Sequence, residues 1–306
     1  MRKRGLAGAS HPLIPFFALF LVLIGCCPSS QPVTLAFLGD VMLGRGVEPS
    51  EETFAYLSPQ LADADLVLAN LESPLTDAPV QTQSDYVLCA PPENAAWLGE
   101  WGLDVLTLAN NHILDCGPAG RDETIAVLQE QGLTPVGPGM IPVNFEINGS
   151  RLSILALDDV SAPLDISQAV EIVQAEHQAG NIVIISIHWG MEYQGGASNR
   201  QKEIASRLAE AGATVIWGHH PHVLQESAWL DDGKTLVLYS LGNALFDQYG
   251  LDDTRQSALV LVEMDHRGIL SVEAVPFGID VPNSLLVEPD TADGETILER
   301  LHLTTH

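Results

Sequence analysis

A chain of 306 residues, 46% of them hydrophobic, can close a substantial core as one large domain or two small ones. Its 13 Lys and Arg face 40 Asp and Glu, a formal charge of −27. That balance excludes nucleic acid as a partner, because phosphate binding needs a basic face, and it repels any polyanion unless metal ions or a local Arg reverse the field.

The chain opens like an export signal. Arg2, Lys3 and Arg4 precede an apolar stretch, 13–24, that is too short for a comfortable membrane span. It ends in Leu23-Ile24-Gly25-Cys26, which looks like the lipobox cut before a lipid-modified cysteine in bacterial lipoproteins. Residues 1–26 are thus expected to be a lipoprotein signal with Cys26 as the lipidated residue, and 27–32 a polar tether. The expected location is the outer face of the cell membrane, on a lipid anchor.

The globular part is expected to span 33–282. Five short apolar runs in it end abruptly in polar residues, and runs of this length bounded by turn residues predict buried strands. The first, 33–38, ends in Gly39-Asp40, and 66–69 ends in Asn70-Leu71-Glu72. A helix over 93–101, stopped by Gly102, leads into the run 105–109 and Asn110-Asn111-His112. Pro118 fits the first turn of another helix, through Gln131 to Gly132, and Asn148-Gly149 turns a hairpin of 143–147 and 151–157. Ser167 is expected to cap a helix through Ala179 before the run 182–187 and His188. Asn199 is expected to cap one through Ala211, before 213–217 and Gly218-His219-His220-Pro221-His222. Hairpins of 225–230 with 235–239 and of 258–264 with 270–275 follow, and 283–306 is expected to be a polar tail. Alternating helices and strands mixed with hairpins predict an α/β fold of two packed sheets with helices outside.

In open α/β sheets ligands gather beyond the carboxyl ends of strands, so these clusters predict one polar site. His220 and His222 alternate on an extended segment, where both rings can reach one ion. Asp40 can hold a cation or cap a turn. Asn111 is the plausible ligand of its pair, leaving His112 to give a proton to a leaving group, with Asp115 near enough to orient its ring. Glu72 can bridge metals, act as a base or cap the turn before Pro74. Arg45, between Gly44 and Gly46, can hold an anionic group or a surface salt bridge. Cys89 and Cys116 can bridge in an exported protein.

Taken together, Gly39-Asp40-Val41-Met42-Leu43-Gly44-Arg45, Asn70-Leu71-Glu72, Leu108-Ala109-Asn110-Asn111-His112-Ile113-Leu114-Asp115, His188-Trp189-Gly190, Gly218-His219-His220-Pro221-His222 and Tyr239-Ser240-Leu241-Gly242-Asn243 resemble the CapA family. These are bacterial capsule-synthesis proteins associated with poly-γ-glutamate, related to the calcineurin-like metallophosphoesterases. The resemblance implies a four-layer α/β/β/α sandwich of mixed sheets with a metal site at one edge. It implies one or two divalent ions (Mn, Zn, Fe or Mg) on Asp40, Glu72, Asn111, His188, His220 and His222, with Arg45, His219 and Asn243 toward the substrate. Three positions depart from the superfamily pattern: Met42 replaces a histidine ligand, Glu72 an Asp, and Ile113 an acid. The implied function is a cell-surface role in capsule synthesis or export, as a metal-dependent hydrolase of a phosphoester or polymer amide bond. The alternative is a non-catalytic, metal-assisted polymer-binding or export factor. Implied partners are an anionic polymer or phosphorylated substrate, the membrane, and other capsule-synthesis membrane proteins.

Overall fold

The computed structural model describes residues 31–280 and 283–303; the expected signal, its Cys26 and most of the tether lie outside the described residues. In chain order the strands are β1 (Val33–Val41), β2 (Leu66–Leu71), β3 (Val105–Thr107), β4 (Thr134–Val136), β5 (Val143–Ile147), β6 (Ser150–Asp158) and β7 (Ile182–His188). They continue with β8 (Ala213–His219), β9 (Ser227–Leu230), β10 (Thr235–Leu238), β11 (Asn243–Leu245), β12 (Gln256–Asp265), β13 (Gly268–Asp280) and β14 (Asn283–Leu286). The α-helices are α1 (Ser58–Ala62), α2 (Ala95–Glu100), α3 (Gly117–Glu130), α4 (Ile166–Gln178), α5 (Asn199–Glu210) and α6 (Ala292–Leu301).

One sheet has the order β14-β13-β12-β1-β2-β3-β4, with β11 also pairing β1; the other runs β5-β6-β7-β8-β10-β9. Each is parallel at its centre and antiparallel toward an edge: β1 pairs β2 in parallel but β12 in antiparallel, and β7 is parallel to both β6 and β8. The central strands are almost wholly buried, as strands covered on both faces must be. Phe37, Leu68, Ile154, Ile184 and Trp217 fill the space between the sheets. Leu98 of α2 and Leu128 of α3 cover the outer face of the first sheet; Val173 of α4 with Ile204 and Leu208 of α5 cover that of the second. The expected α/β/β/α sandwich of mixed sheets is the architecture observed. Among the described residues no helix is long and apolar enough to cross a membrane.

Three expectations need correction. The supposed polar tail, 283–306, adds β14 to the edge of the first sheet, and α6 buries Ile297 and Leu301 against the central core. Its polarity reflects an edge position with one wet face. The caps also shift: Asp165, not Ser167, caps α4 by accepting from Gln168 N. Ser198, not Asn199, caps α5, in a reciprocal pair with Gln201.

Candidate metal centre

The five strand ends meet at one rim. Asp40 lies near the end of β1, Glu72 directly after β2, Asn110 to His112 after β3, His188 at the end of β7 and His219 at the end of β8. Two hydrogen bonds across the central core set the sheets in register. Trp217 Nε1 of β8 donates to Leu38 O of β1 at 2.9 Å, and Ser186 Oγ of β7 donates to Thr107 Oγ1 of β3 at 3.0 Å. Each lies a few residues before a cluster of polar ligands. Gly39 is required by close approach, since a Cβ there would stand 2.0 Å from Gly242 O.

Asp40 is fully buried, and both its oxygens are engaged. Asn70 Nδ2 donates to Oδ1 at 2.8 Å, His220 N donates to Oδ2 at 3.1 Å, and His219 Nδ1 lies 3.1 Å from Oδ1. Burial pushes its pKa up, but the His219 contact and the surrounding histidines outweigh that and hold it well below the usual carboxylate range. Asn110 Nδ2 in turn donates to Leu71 O at 2.9 Å and to Asn70 Oδ1 at 3.3 Å, tying the three strand ends together.

Glu72 is also fully buried, yet neither of its oxygens has a hydrogen-bond partner. Around Oε1 stand His188 Nε2 at 3.5 Å, His222 Nε2 at 3.8 Å and His112 Nε2 at 4.0 Å. Burial raises its pKa, with His222 opposing. A carboxylate enclosed without a donor is too costly to stand alone. Its neighbours are nitrogen and oxygen atoms with lone pairs: Glu72, His188 and His220 offer atoms within 4.8 Å of one another, and so do Asp40, Glu72 and His222. Such a donor set fits a divalent transition cation. His188 and His220 are held at pKa values of about 3 by burial, so both imidazoles are neutral at pH 7, as cation binding needs.

The supporting atoms are equally specific. Asn243 Nδ2 donates to Thr254 O at 3.0 Å and to Gln248 Oε1 at 3.1 Å, which turns its Oδ1 toward His222 Nδ1 at 2.9 Å. An amide oxygen only accepts, so His222 carries its proton on Nδ1 and leaves Nε2 free as a ligand. Asn111 Oδ1 sits 2.8 Å from His188 Nε2, within reach of the same centre. His112 Nδ1 lies 2.8 Å from Asp115 Oδ2, which also accepts from Leu88 N at 2.9 Å. The acceptor-only carboxylate puts the proton on Nδ1 and aims Nε2 at the centre. Burial works against a charged His112, but Asp115 and Glu72 dominate and raise its pKa. The Cys89–Cys116 disulfide pins the segments carrying Leu88 and Asp115.

Residues 34–248 match the family model of the bacterial capsule synthesis protein PGA_cap. The chain belongs to that family. The PGA biosynthesis protein CapA of Bacillus subtilis (strain 168) is 31% identical over 89% of this chain and 78% of its own length. The capsule biosynthesis protein CapA of Bacillus anthracis is 32% identical over 82% and 68%. A hypothetical protein of Thermus thermophilus, known as a crystal structure, shares the fold with a TM-score of 0.56 and 18% identity, over 80% of this chain and 99% of that one.

For this PGA_cap member the structure brings Asp40, Glu72, Asn111, His188, His220 and His222 to one centre, with His112 and Asp115 beside it. Two substrate-facing expectations need correction. His219 is 1% exposed, packs edge-on against Trp217 at 4.3 Å and faces Asp40, so it cannot reach a ligand in solvent. Asn243 is fully buried and spends its amide on His222, Gln248 and Thr254. Both position ligands. Arg45 does reach a cleft of about 590 Å³ beside the centre, lined also by Tyr86, His112, Tyr193, His222 and Asp247. It lies over the Phe246 ring and pairs with Asp247. Met42, at the expected histidine position, is wholly buried in the outer core of the first sheet. Asn70 and Asn110, to which the chain alone assigns no individual role, hold Asp40 and the strand ends together, and their place at the carboxyl ends of apolar runs is the signal that marks them. Glu192 and Asp247 carry no such signal.

Proposed function

We propose that this protein acts in making or exporting an anionic capsule polymer of the poly-glutamate type, as a metal-dependent hydrolase of a phosphoester or polymer amide bond. Family membership and the roles named for the Bacillus relatives support the biological setting. The observation that carries the chemistry is Glu72: a fully enclosed carboxylate with no hydrogen-bond donor, ringed by three imidazoles. Glu72, His188 and His220, with Asp40, His222 and Asn111, supply the donors that would hold one or two cations. A divalent ion bound there supplies Lewis acidity toward a phosphoryl or carbonyl oxygen and toward water. His112 gives a proton from Nε2 to the leaving group, and Asp115 fixes the tautomer and stabilises the imidazolium. Arg45, at the cleft, meets an anionic group of the substrate. Attachment to the outer face of the membrane through Cys26 belongs to the same reading, supported by Leu23-Ile24-Gly25 before it. Metal analysis of the full-length protein should find bound divalent cation, and turnover of phosphodiesters or γ-glutamyl chains should vanish on chelation and return on reloading. A protein with neither metal nor turnover overturns the proposal.

The departures at Met42 and Glu72 favour a second reading, a factor that holds the polymer through its cation without cleaving it. His112→Ala separates the two. Turnover by the wild type that is lost in the variant while polymer binding persists supports hydrolysis. Polymer binding by a wild type that turns nothing over, unchanged in the variant, supports the second reading.

A further inference from the structure

Beyond the buried ligands stands an acid that the mechanism does not use. Glu192 follows β7 by four residues and is exposed, yet a carboxylate oxygen of it lies within 4.8 Å of ring nitrogens of the buried His220 and His222, which themselves lie equally close together. Its position is built. The backbone turns at Gly190, with φ +84°, and at Tyr193, with φ +62°. Tyr193 N then donates to Pro221 O at 2.8 Å, joining this loop to the one that carries the two histidines. Gln248 Nε2 donates to the Tyr193 hydroxyl at 3.3 Å and holds the outer side. A second feature points to a ligand: His220 is 6% exposed, and its Nδ1 is buried with no partner.

We propose that Glu192, His220 and His222 form an outer cation site next to the buried one, which then keeps Asp40, Glu72, His188 and Asn111, with Glu192 as the carboxylate that makes a two-ion centre possible. The inference rests on the reading that the buried cluster binds a cation. Charge supports it. Asp40 and Glu72 balance one divalent ion, and among the described residues no lysine or arginine pairs with either. A second ion on neutral imidazoles alone would leave two positive charges in a largely buried site. With Glu192 as third carboxylate the two-ion centre keeps one positive charge, which suits an anionic substrate group. This also answers how a chain of charge −27 receives an anion: attraction is local, supplied by the loaded centre. The outer ion is expected to be the weaker, because its carboxylate is exposed and shared with water.

The test is a titration of the chelator-stripped full-length protein with manganese chloride, read by calorimetry and by the electron paramagnetic resonance signal of free Mn²⁺. The wild type should bind two ions, one at least tenfold weaker. Glu192→Gln should keep the tight ion and weaken the other by at least tenfold, and Glu192→Asp should recover part of that loss. Glu72→Gln should weaken the tight ion instead. Two ions bound by Glu192→Gln with wild-type affinities overturn the outer site, and so does a wild type that binds one ion with an affinity indifferent to Glu192→Gln. A wild type that binds no ion overturns the buried cluster itself, and the outer site with it.

Discussion

Neutral imidazoles next to buried carboxylates make this centre sensitive to acid. His188 and His220 have folded pKa values of about 3 against 6.5 for an ordinary histidine, and burial is the main cause. Between those values the unfolded chain takes up two protons that the folded chain refuses. The unfolded state therefore binds more protons, and stability falls as pH falls through that window. Asp40, held below its ordinary value, acts in the same direction at lower pH. Glu72 acts oppositely: its raised pKa lets the folded state take a proton first, adding stability as pH drops toward 4.5. His112, whose pKa Asp115 and Glu72 raise, acts in the same direction as Glu72, but its unfolded form also takes up a proton below 6.5, so its gain is small. The two imidazoles that refuse a proton dominate, and the chelated protein should be less stable at pH 5 than at pH 7, by roughly 1–2 kcal/mol, measured by urea unfolding. A flat profile would mean that the two imidazoles are already charged or already exposed.

Ligands from two sheets need the sheets locked against sliding, and the indole of Trp217 does this for β1 and β8. Its Nε1 donates to Leu38 O two residues before Asp40, while His219 follows two residues after the indole. Trp217→Phe keeps an aromatic ring against Phe37 but leaves the Leu38 carbonyl unpaired in the core, at a cost of about 1–3 kcal/mol. Cation affinity should fall by at least tenfold as well, because Asp40 and His220 lose their common reference; calorimetry with Mn²⁺ on the folded variant checks it. Stability loss with unchanged affinity would show that the ends are aligned elsewhere. These crossing bonds are where the sequence becomes silent. Apolar runs ending in Asp40, His188 or His220 announce both a strand and the edge where it stops, since a charged or polar group cannot continue into a covered sheet. Which carbonyl of another sheet meets Trp217 depends on packing distant in the chain. The same holds for His219 and Asn243, whose residue types suit ligand contact but whose partners lie inside. It holds too for β14 and α6, half-wet edge elements whose pattern resembles a tail. The caps of α4 and α5 shift because Asp165 and Ser198 compete with equally suitable neighbours one or two residues away.

The disulfide cross-links the assembly, and a cation in the proposed centre would be a second link of a different kind. Closing the 27-residue span between Cys89 and Cys116 removes about 3.5 kcal/mol of unfolded-chain entropy in the loop-closure account, so reduction should lower the melting temperature. Scanning calorimetry with and without reductant reads it, and an unmoved transition would mean the two cysteines are not joined in the protein. A cation in the proposed centre would act on the folded state instead. At a free concentration a hundredfold above its dissociation constant, a bound ion adds about 2.7 kcal/mol. For a domain of this size that is a rise of roughly 5–10 °C. Chelation should therefore lower the melting temperature by that amount, and Mn²⁺ or Zn²⁺ should restore it. Sodium chloride separates this from general relief of charge. A protein of charge −27 repels itself across its surface, and salt screens that repulsion over a Debye length of about 8 Å at physiological strength. Asp40 and Glu72 are closed off from solvent, where screening hardly reaches. High salt should thus recover only a small part of the loss on chelation, and the divalent ion nearly all of it. Full recovery by salt alone would place the stabilising effect of the ion on the acidic surface and remove the thermodynamic case for a buried centre.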